Sequence, residues 1–185
     1  ERYNNGLRGW ILRALVRLSA VPDAVVVNSR AGIAVHEALG YRPRRWEHLP
    51  NGFELCRFRP DRSAQESVRA ELGLSDDAEI VGLIARWDPL KDHLTFFEAA
   101  AHLARLRPDV KFLLAGSGTS VDDPRPAAIV KRLGLGDRVH CLGEREDIPR
   151  LTAALDVATC SSTGEGYPNV IGEAMACEGP VVTTD

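Results

Sequence analysis

The chain is 185 residues long, 44% apolar and 26% charged, enough to bury one full core and part of another. A net charge of -3 and a pI near 6.0 argue against a general nucleic-acid binder, which carries a basic face, so any anion chemistry has to be local. No apolar run approaches a membrane span and the amino end has no secretory core, which gives the expectation of a cytoplasmic protein.

In chain order, a helix is expected over residues 7–18, a strand over 24–27 and a helix over 31–39. Arg8, Arg13 and Arg17 near Trp10 are explained by a solvated helix face, and membrane contact is not expected from them. Leu49 to Asp61 breaks the pattern, with a turn at Pro50-Asn51-Gly52 and an irregular piece at Arg57-Phe58-Arg59-Pro60. A domain junction is expected there: residues 1–50 read as the tail of one domain, 51–62 as a linker and 63–185 as a near-complete second domain. The polar start at Glu1 and the end at Asp185, just after a strand-like run, give the expectation of a piece of a longer polypeptide.

Buried-strand runs follow at 80–84, 110–114, 139–142, 156–160 and 180–183, with helical patterns between them. That alternation predicts an α/β fold, a parallel sheet with helices on both faces. The clearest helix spans 92–107, capped by Asp92 and ended by Pro108, with Leu94, Phe97, Ala101 and Ala104 as its apolar face. Another is expected over 168–177, with Pro168 in its first turn. Cys56, Cys141, Cys160 and Cys177 lack CxxC spacing and read as reduced, buried thiols.

Chemistry concentrates in the segments that follow strands. Arg86 and Lys91 come directly after the strand at 80–84, at the carboxyl end where open α/β sheets bind ligands. A guanidinium fork and a mobile ammonium can neutralise a diphosphate; a solvated pair bridged to Asp88 and Asp92 is the alternative. Gly116 and Gly118 begin a dinucleotide-type fingerprint whose third glycine is replaced by Val121, so the loop is either a backbone approach to a ligand or a plain turn. Glu144 and Arg145 lie in a third such loop, able to meet a nucleobase through backbone groups with side chains exposed, or simply a charged surface loop. Trp87 is expected to pack in a core or lid.

The stretch from Glu165 to Glu173 is the most telling. Gly166, Tyr167, Pro168, Asn169 and Val170 lead into a helix whose first amides can bind phosphate, and the glycine lets an anion approach the backbone. The two carboxylates beside that anion would accept hydroxyls, as a nucleoside diphosphate linked to a sugar offers. The histidines at 36, 48, 93, 102 and 140 have no ligand spacing, and neither a GxSxG elbow nor a GxxxxGK phosphate loop occurs, so no metal site is expected.

Taken together, Leu49-Pro50-Asn51-Gly52-Phe53, the Arg86-x4-Lys91 pair, Ala115-Gly116-Ser117-Gly118 and Glu165-x7-Glu173 followed by Ala174-Met175-Ala176-Cys177 closely resemble the GT-B retaining glycosyltransferases of family 4. The resemblance implies two Rossmann-like domains facing a cleft, this chain being mainly the nucleotide-sugar donor domain with the end of the acceptor domain attached. It implies that Arg86 and Lys91 grip the diphosphate of a UDP-, GDP- or ADP-sugar in place of a metal ion. Glu165 would hold sugar hydroxyls, Glu173 the ribose, and Gly166 to Val170 would give backbone contacts. No cofactor and no nucleic-acid partner is implied. The acceptor, a saccharide or lipid-linked molecule, would be met by the acceptor domain, with peripheral inner-membrane attachment at most. The fragment alone would transfer nothing. Glu178 stands where the family more often has glycine, so the local turn is expected to differ. Alternatives are another GT-B enzyme, such as a nucleotide-sugar epimerase or phosphorylase, and a non-catalytic nucleotide-binding module.

Overall fold

A computed structural model describes residues 6–184. Residues 1–5 and Asp185, at the outer ends of the two expected domains, lie outside it, as does the Arg8 side chain. The chain divides into two compact units, Glu1–Gly52 and Phe53–Asp185.

In the smaller unit, helix α1 (Leu7–Leu18) is followed by β1 (Val25–Val27), α2 (Arg30–Ala38) and β2 (Trp46–His48). Ser29 caps α2 by accepting the amide of Gly32 at 3.0 Å. The two strands pair in parallel, Val26 opposite Glu47. β2 is not expected from the sequence, because Trp46-Glu47-His48 has no apolar run to announce it.

The larger unit holds α3 (Arg62–Glu71), β3 (Ile80–Ile84), α4 (His93–Leu106), β4 (Lys111–Ala115), α5 (Pro124–Leu133), β5 (Val139–Cys141), α6 (Ile148–Ala154), β6 (Val157–Cys160), α7 (Asn169–Ala176) and β7 (Val181–Thr183). Five parallel strands form one sheet in the order β5-β4-β3-β6-β7. The α/β expectation holds in this sheet. Alternation along β4 shows why its sequence is apolar from Phe112 to Ala115: Leu113 and Ala115 join a core with Val68 of α3, Leu151 and Ala154 of α6 and Ala174 of α7, while Phe112 and Leu114 join Phe96, Phe97, Ala100 and Ala104 of α4.

Helix starts follow side-chain capping. Asp61 accepts the Ala64 amide at 3.1 Å, Asp92 that of Thr95 at 3.2 Å, and Asp123 that of Arg125 at 2.9 Å. The α4 face needs correction: His93, Phe96, Phe97, Ala100 and Ala104 are buried, while Leu94 is 41% exposed. The ring of His93 stacks on Trp87, centroids 4.5 Å apart, and this turns the helix so that a histidine takes the place expected of a leucine. α3 is polar by composition yet buries Ala64, Val68 and Arg69. Arg69 donates to Asp156 at 2.7 Å and to the carbonyls of Ala78 and Ala154, which satisfies its buried charge.

The expected α7 start shifts by one residue. Pro168 has φ -76° and ψ 103°, extended rather than helical, and serves as the N-cap. The turn after α7 also differs from expectation in kind. Glu178 takes φ 59°, and its amide donates to Met175 O while that of Gly179 donates to Ala174 O, both at 3.0 Å. These are the two bonds of a Schellman ending, with glutamate in the left-handed position that glycine fills without strain. The turn is therefore kept and the residue is strained, instead of the turn being remodelled.

Among the described residues Cys56, Cys141, Cys160 and Cys177 are all free thiols. Cys160 and Cys177 are buried, Cys141 is half-buried with its pKa pushed up to about 11 by burial, and Cys56 is exposed, against the expectation of burial for all four. Among the described residues no helix is long and apolar enough to cross a membrane.

Candidate functional site

The strand order places a topological switch point in the middle of the sheet. From β3 the chain runs outward to β4 and β5, then returns through α6 to β6 on the other side of β3. Loops leaving β3 and β6 meet at the carboxyl ends of these neighbouring strands, the place where open α/β sheets bind ligands. Both carry expected site residues: Arg86 and Lys91 after β3, Glu165 to Asn169 after β6.

Backbone bonds stitch the two loops together. The Thr163 amide donates to Leu90 O at 2.9 Å, and Ser161 Oγ donates to Lys91 O at 2.8 Å. Upon this frame the Lys91 ammonium donates to a Glu165 carboxylate oxygen, which also accepts from Ser162 Oγ at 2.7 Å. The Lys91 and Glu165 side chains are 22% and 24% exposed. Burial pushes the Glu165 carboxyl up, but the hydrogen bonds from Lys91 and Ser162 outweigh it and hold the group below its ordinary range. Arg86, with a side chain 68% exposed, reaches Asp88 at 3.4 Å. Lys91 thus pairs across the switch point and not with Asp88 or Asp92, whereas Arg86 adopts the local pairing. Ser161 and Ser162 were not among the expected site residues. Their signal is a run of hydroxyl side chains, Ser161-Ser162-Thr163, at the end of a strand.

Further along the β6 loop, Gly166 is exposed and the Tyr167 ring lies 6.2 Å from that of Phe53. Asn169 opens α7, Val170 is half-buried, and the Ile171 amide is bonded to Pro168 O at 3.2 Å. Glu173 is half-buried and makes no ion pair with Arg86 or Lys91. Burial alone pushes its carboxyl pKa up. A carboxylate held this way gains from hydroxyl donors brought by a ligand. Gly172, one residue before it, receives the Phe53 ring: a Cβ there would stand 2.1 Å from the ring tip.

The glycines after β4 serve the frame. Gly116 has φ 144° and Gly118 φ 77°, and a Cβ on Gly118 would meet Trp87 Cβ at 2.9 Å. Trp87 N donates to Ser117 O at 2.7 Å, so the loop lies against the Ala85–Trp87 backbone. Trp87 packs as expected, between His93 and the Arg125 guanidinium, which sits 5.2 Å from its ring centroid.

In the loop after β5, Glu144 is exposed. The expected exposure of the Arg145 side chain is overturned. Arg145 grips Asp147 with two hydrogen bonds of 2.8 Å and Glu71 with a third, and Arg150 bonds the same two carboxylates. The hydrogen bonds from Arg145 lead in holding the Asp147 carboxyl far below its ordinary range. A guanidinium saturated by two carboxylates has no fork left for a ligand.

This sheet order, five parallel strands with helices on both faces and a switch point in the middle, is that of a Rossmann-like α/β domain of the GT-B type. Residues 78–185 match the family model described as Glycosyl transferases group 1, and the chain belongs to that family. It is 31% identical over 172 residues to a D-inositol 3-phosphate glycosyltransferase of Segniliparus rotundus, covering 90% of this chain and 38% of that protein. A UDP-Gal:alpha-D-GlcNAc-diphosphoundecaprenol alpha-1,3-galactosyltransferase of Escherichia coli is 30% identical over 145 residues, covering 77% of this chain and 37% of that one. Among solved structures, Anabaena HepE in complex with UDP and glucose superposes with a TM-score of 0.82 at 32% identity, over 93% of this chain and 47% of that one. The chain spans less than half the length of each of these relatives.

Proposed function

We propose that the Phe53–Asp185 unit is the donor-binding half of a retaining glycosyltransferase that moves a sugar from a nucleoside diphosphate to a saccharide or lipid-linked acceptor. The observation that carries this reading is the meeting of Lys91 and Glu165 at the switch point, with Arg86 on the same loop as Lys91. Arg86 and Lys91 neutralise the diphosphate as it leaves, in the role a metal ion has elsewhere. Glu165 orients sugar hydroxyls, and Glu173 accepts ribose hydroxyls. Gly166, Tyr167, Pro168, Asn169 and Val170 border the phosphates and sugar at the start of α7. Gly116, Gly118, Glu144 and Arg145 keep a part in the reading through backbone alone, the first two by shaping the loop beside Arg86.

UDP is the nucleotide favoured, because HepE is seen with UDP and the Escherichia coli relative is named for UDP-Gal. The lipid-linked acceptor in the name of the Escherichia coli relative supports a place in bacterial glycoconjugate assembly, and the family resemblance adds a cytoplasmic location with peripheral inner-membrane attachment at most. The acceptor is bound by an acceptor domain on the amino-terminal side, as the family resemblance implies.

A thermal-shift titration of this chain and its Arg86→Ala/Lys91→Ala variant against UDP, GDP, ADP and their sugar conjugates tests the reading. At about 100 times its dissociation constant a ligand stabilises by about 2.7 kcal/mol, a resolvable rise in melting temperature. The rise is expected with UDP and UDP-sugars and is lost in the variant. A rise that survives removal of both cations refutes their placement.

A further inference from the structure

Lys91 and Glu165 each hold a charge that the proposed reaction uses elsewhere, the ammonium on the diphosphate and the carboxylate on sugar hydroxyls. In this structure they are spent on each other. The backbone of Lys91, and that of the β6 loop up to two residues before Glu165, is held independently of that bond: Ser161 Oγ holds Lys91 O, the Thr163 amide holds Leu90 O, and Thr184 Oγ1 donates to Ser162 O at 2.6 Å. The ion pair can therefore open by rotating two side chains while both loops stay in place. With side chains 22% and 24% exposed, neither charge is fully hydrated when it loses its partner.

We propose that Glu165 acts as an internal counter-ion of Lys91 and thereby makes the site select a sugar-loaded nucleoside diphosphate over the spent nucleoside diphosphate. This rests on the donor-site reading above. An incoming diphosphate takes Lys91 away from Glu165. When a sugar comes with it, its hydroxyls donate to the released carboxylate. When the nucleoside diphosphate comes alone, Glu165 keeps only the Ser162 bond and faces a new anion at short range. The loaded donor compensates Glu165 and the spent nucleotide does not, so after transfer the Lys91–Glu165 bond competes with the product for the ammonium and hastens its departure. Glu165 is then a specificity-determining residue as well as a sugar contact.

The test is a double-mutant cycle, measured by calorimetric titration with UDP and with UDP-glucose, on the wild type, Glu165→Gln, Lys91→Met and the double variant. Glu165→Gln is expected to bind UDP about fivefold tighter, in line with the loss of one competing ion pair, and to bind UDP-glucose no tighter. The gain for UDP disappears in the Lys91→Met background, because there is no ammonium left to release. A gain that persists there is simple repulsion between Glu165 and the diphosphate, and overturns the proposal. Unchanged or weaker UDP binding by Glu165→Gln also overturns it. Glu165→Ala carries the same expectations and replaces Glu165→Gln if that variant does not fold. Wild-type protein that binds neither ligand nor any other nucleoside diphosphate refutes the donor-site reading itself, an outcome distinct from a wild type that binds with the wrong response to Glu165→Gln.

Discussion

Gly116 and Ala85 face each other across the carboxyl ends of β4 and β3 with no room for a side chain between them. A Cβ on Gly116 would stand 2.3 Å from the Ala85 carbonyl oxygen and 2.8 Å from the Arg86 amide nitrogen, and the backbone there has φ 144°. The obstacle is backbone, which cannot swing aside as a side-chain tip can. Gly116→Ala is expected to destabilise the protein by about 3 kcal/mol, combining a disfavoured dihedral with overpacking. Chemical denaturation measures this directly. Because the same contact sets the direction of the Arg86 loop, any folded Gly116→Ala protein should also lose UDP affinity. A stability change within about 0.5 kcal/mol would show that the loop yields freely, and that the glycine is not required by the frame.

The Schellman ending of α7 makes an opposite prediction. Glu178 is an exposed glutamate at φ 59°, and its side chain forms no ion pair among the described residues. Glycine reaches that conformation without the steric penalty, so Glu178→Gly should stabilise the protein by about 0.5–1 kcal/mol despite the greater freedom it gives the unfolded chain. The melting temperature should rise with no change in nucleotide binding. A fall would mean that the Glu178 side chain supports the turn in a way its geometry does not reveal.

How much of this was legible in the sequence depends on the range of the forces involved. Ile80–Ile84 and Lys111–Ala115 could be read because a strand buried on both faces carries a near-continuous apolar run, here broken only by Lys111 at its start. The loops carrying Arg86, Lys91 and Glu165 could be read because strand ends and a proline-marked helix start are local signals. Partners distant in the chain could not. Lys91 finds Glu165, and Arg145 finds Glu71, each 74 residues away, and both pairings follow from the sheet order, which no local pattern encodes. α3 was hidden because its buried Arg69 reads as a surface residue until Asp156 is placed beside it. On α4 the expected Phe97 and Ala104 are buried, while Leu94 gives way to His93, which stacking on Trp87 puts in the interior.

Arg145 offers a check on which charges belong to the ligand site. Its side chain is committed to Asp147 and Glu71, and about a quarter of it is exposed. Arg145→Gln is expected to lower stability by about 1 kcal/mol, a value discounted for solvent screening of a partly open network, and to leave the UDP dissociation constant unchanged. The contrast with Arg86→Ala, which should cost little stability and much affinity, separates a frame residue from a ligand residue. Weaker UDP binding by Arg145→Gln would place its guanidinium in the site after all.

Acid sensitivity should begin with histidine. His93 is 3% exposed and its Nε2 has no hydrogen-bond partner; burial lowers its pKa from 6.5, while the Ala85 backbone and the charge of Asp92 oppose that shift and Arg125 reinforces it. His140 is lowered from the same value, again by burial first and by Lys111 second. A base whose folded pKa is depressed is protonated more readily in the unfolded chain. Stability therefore rises with pH through the window below 6.5 and is lost as pH falls through it, by at most about 1.4 kcal/mol per pH unit for each histidine. The depressed carboxylates Glu71 and Glu165 act in the same direction, but only below their ordinary value of 4.5. Glu173, raised by burial, works against both as its proton is taken up above that value. Between about pH 5 and 6.5 the histidines should dominate, and His93→Phe, which keeps a ring to stack on Trp87, should flatten the decline of stability measured by denaturation at a series of pH values. An unaltered slope in His93→Phe would mean that protonation of this ring does not limit the fold, and that His140 or an opening of the Trp87 stack accounts for the acid response.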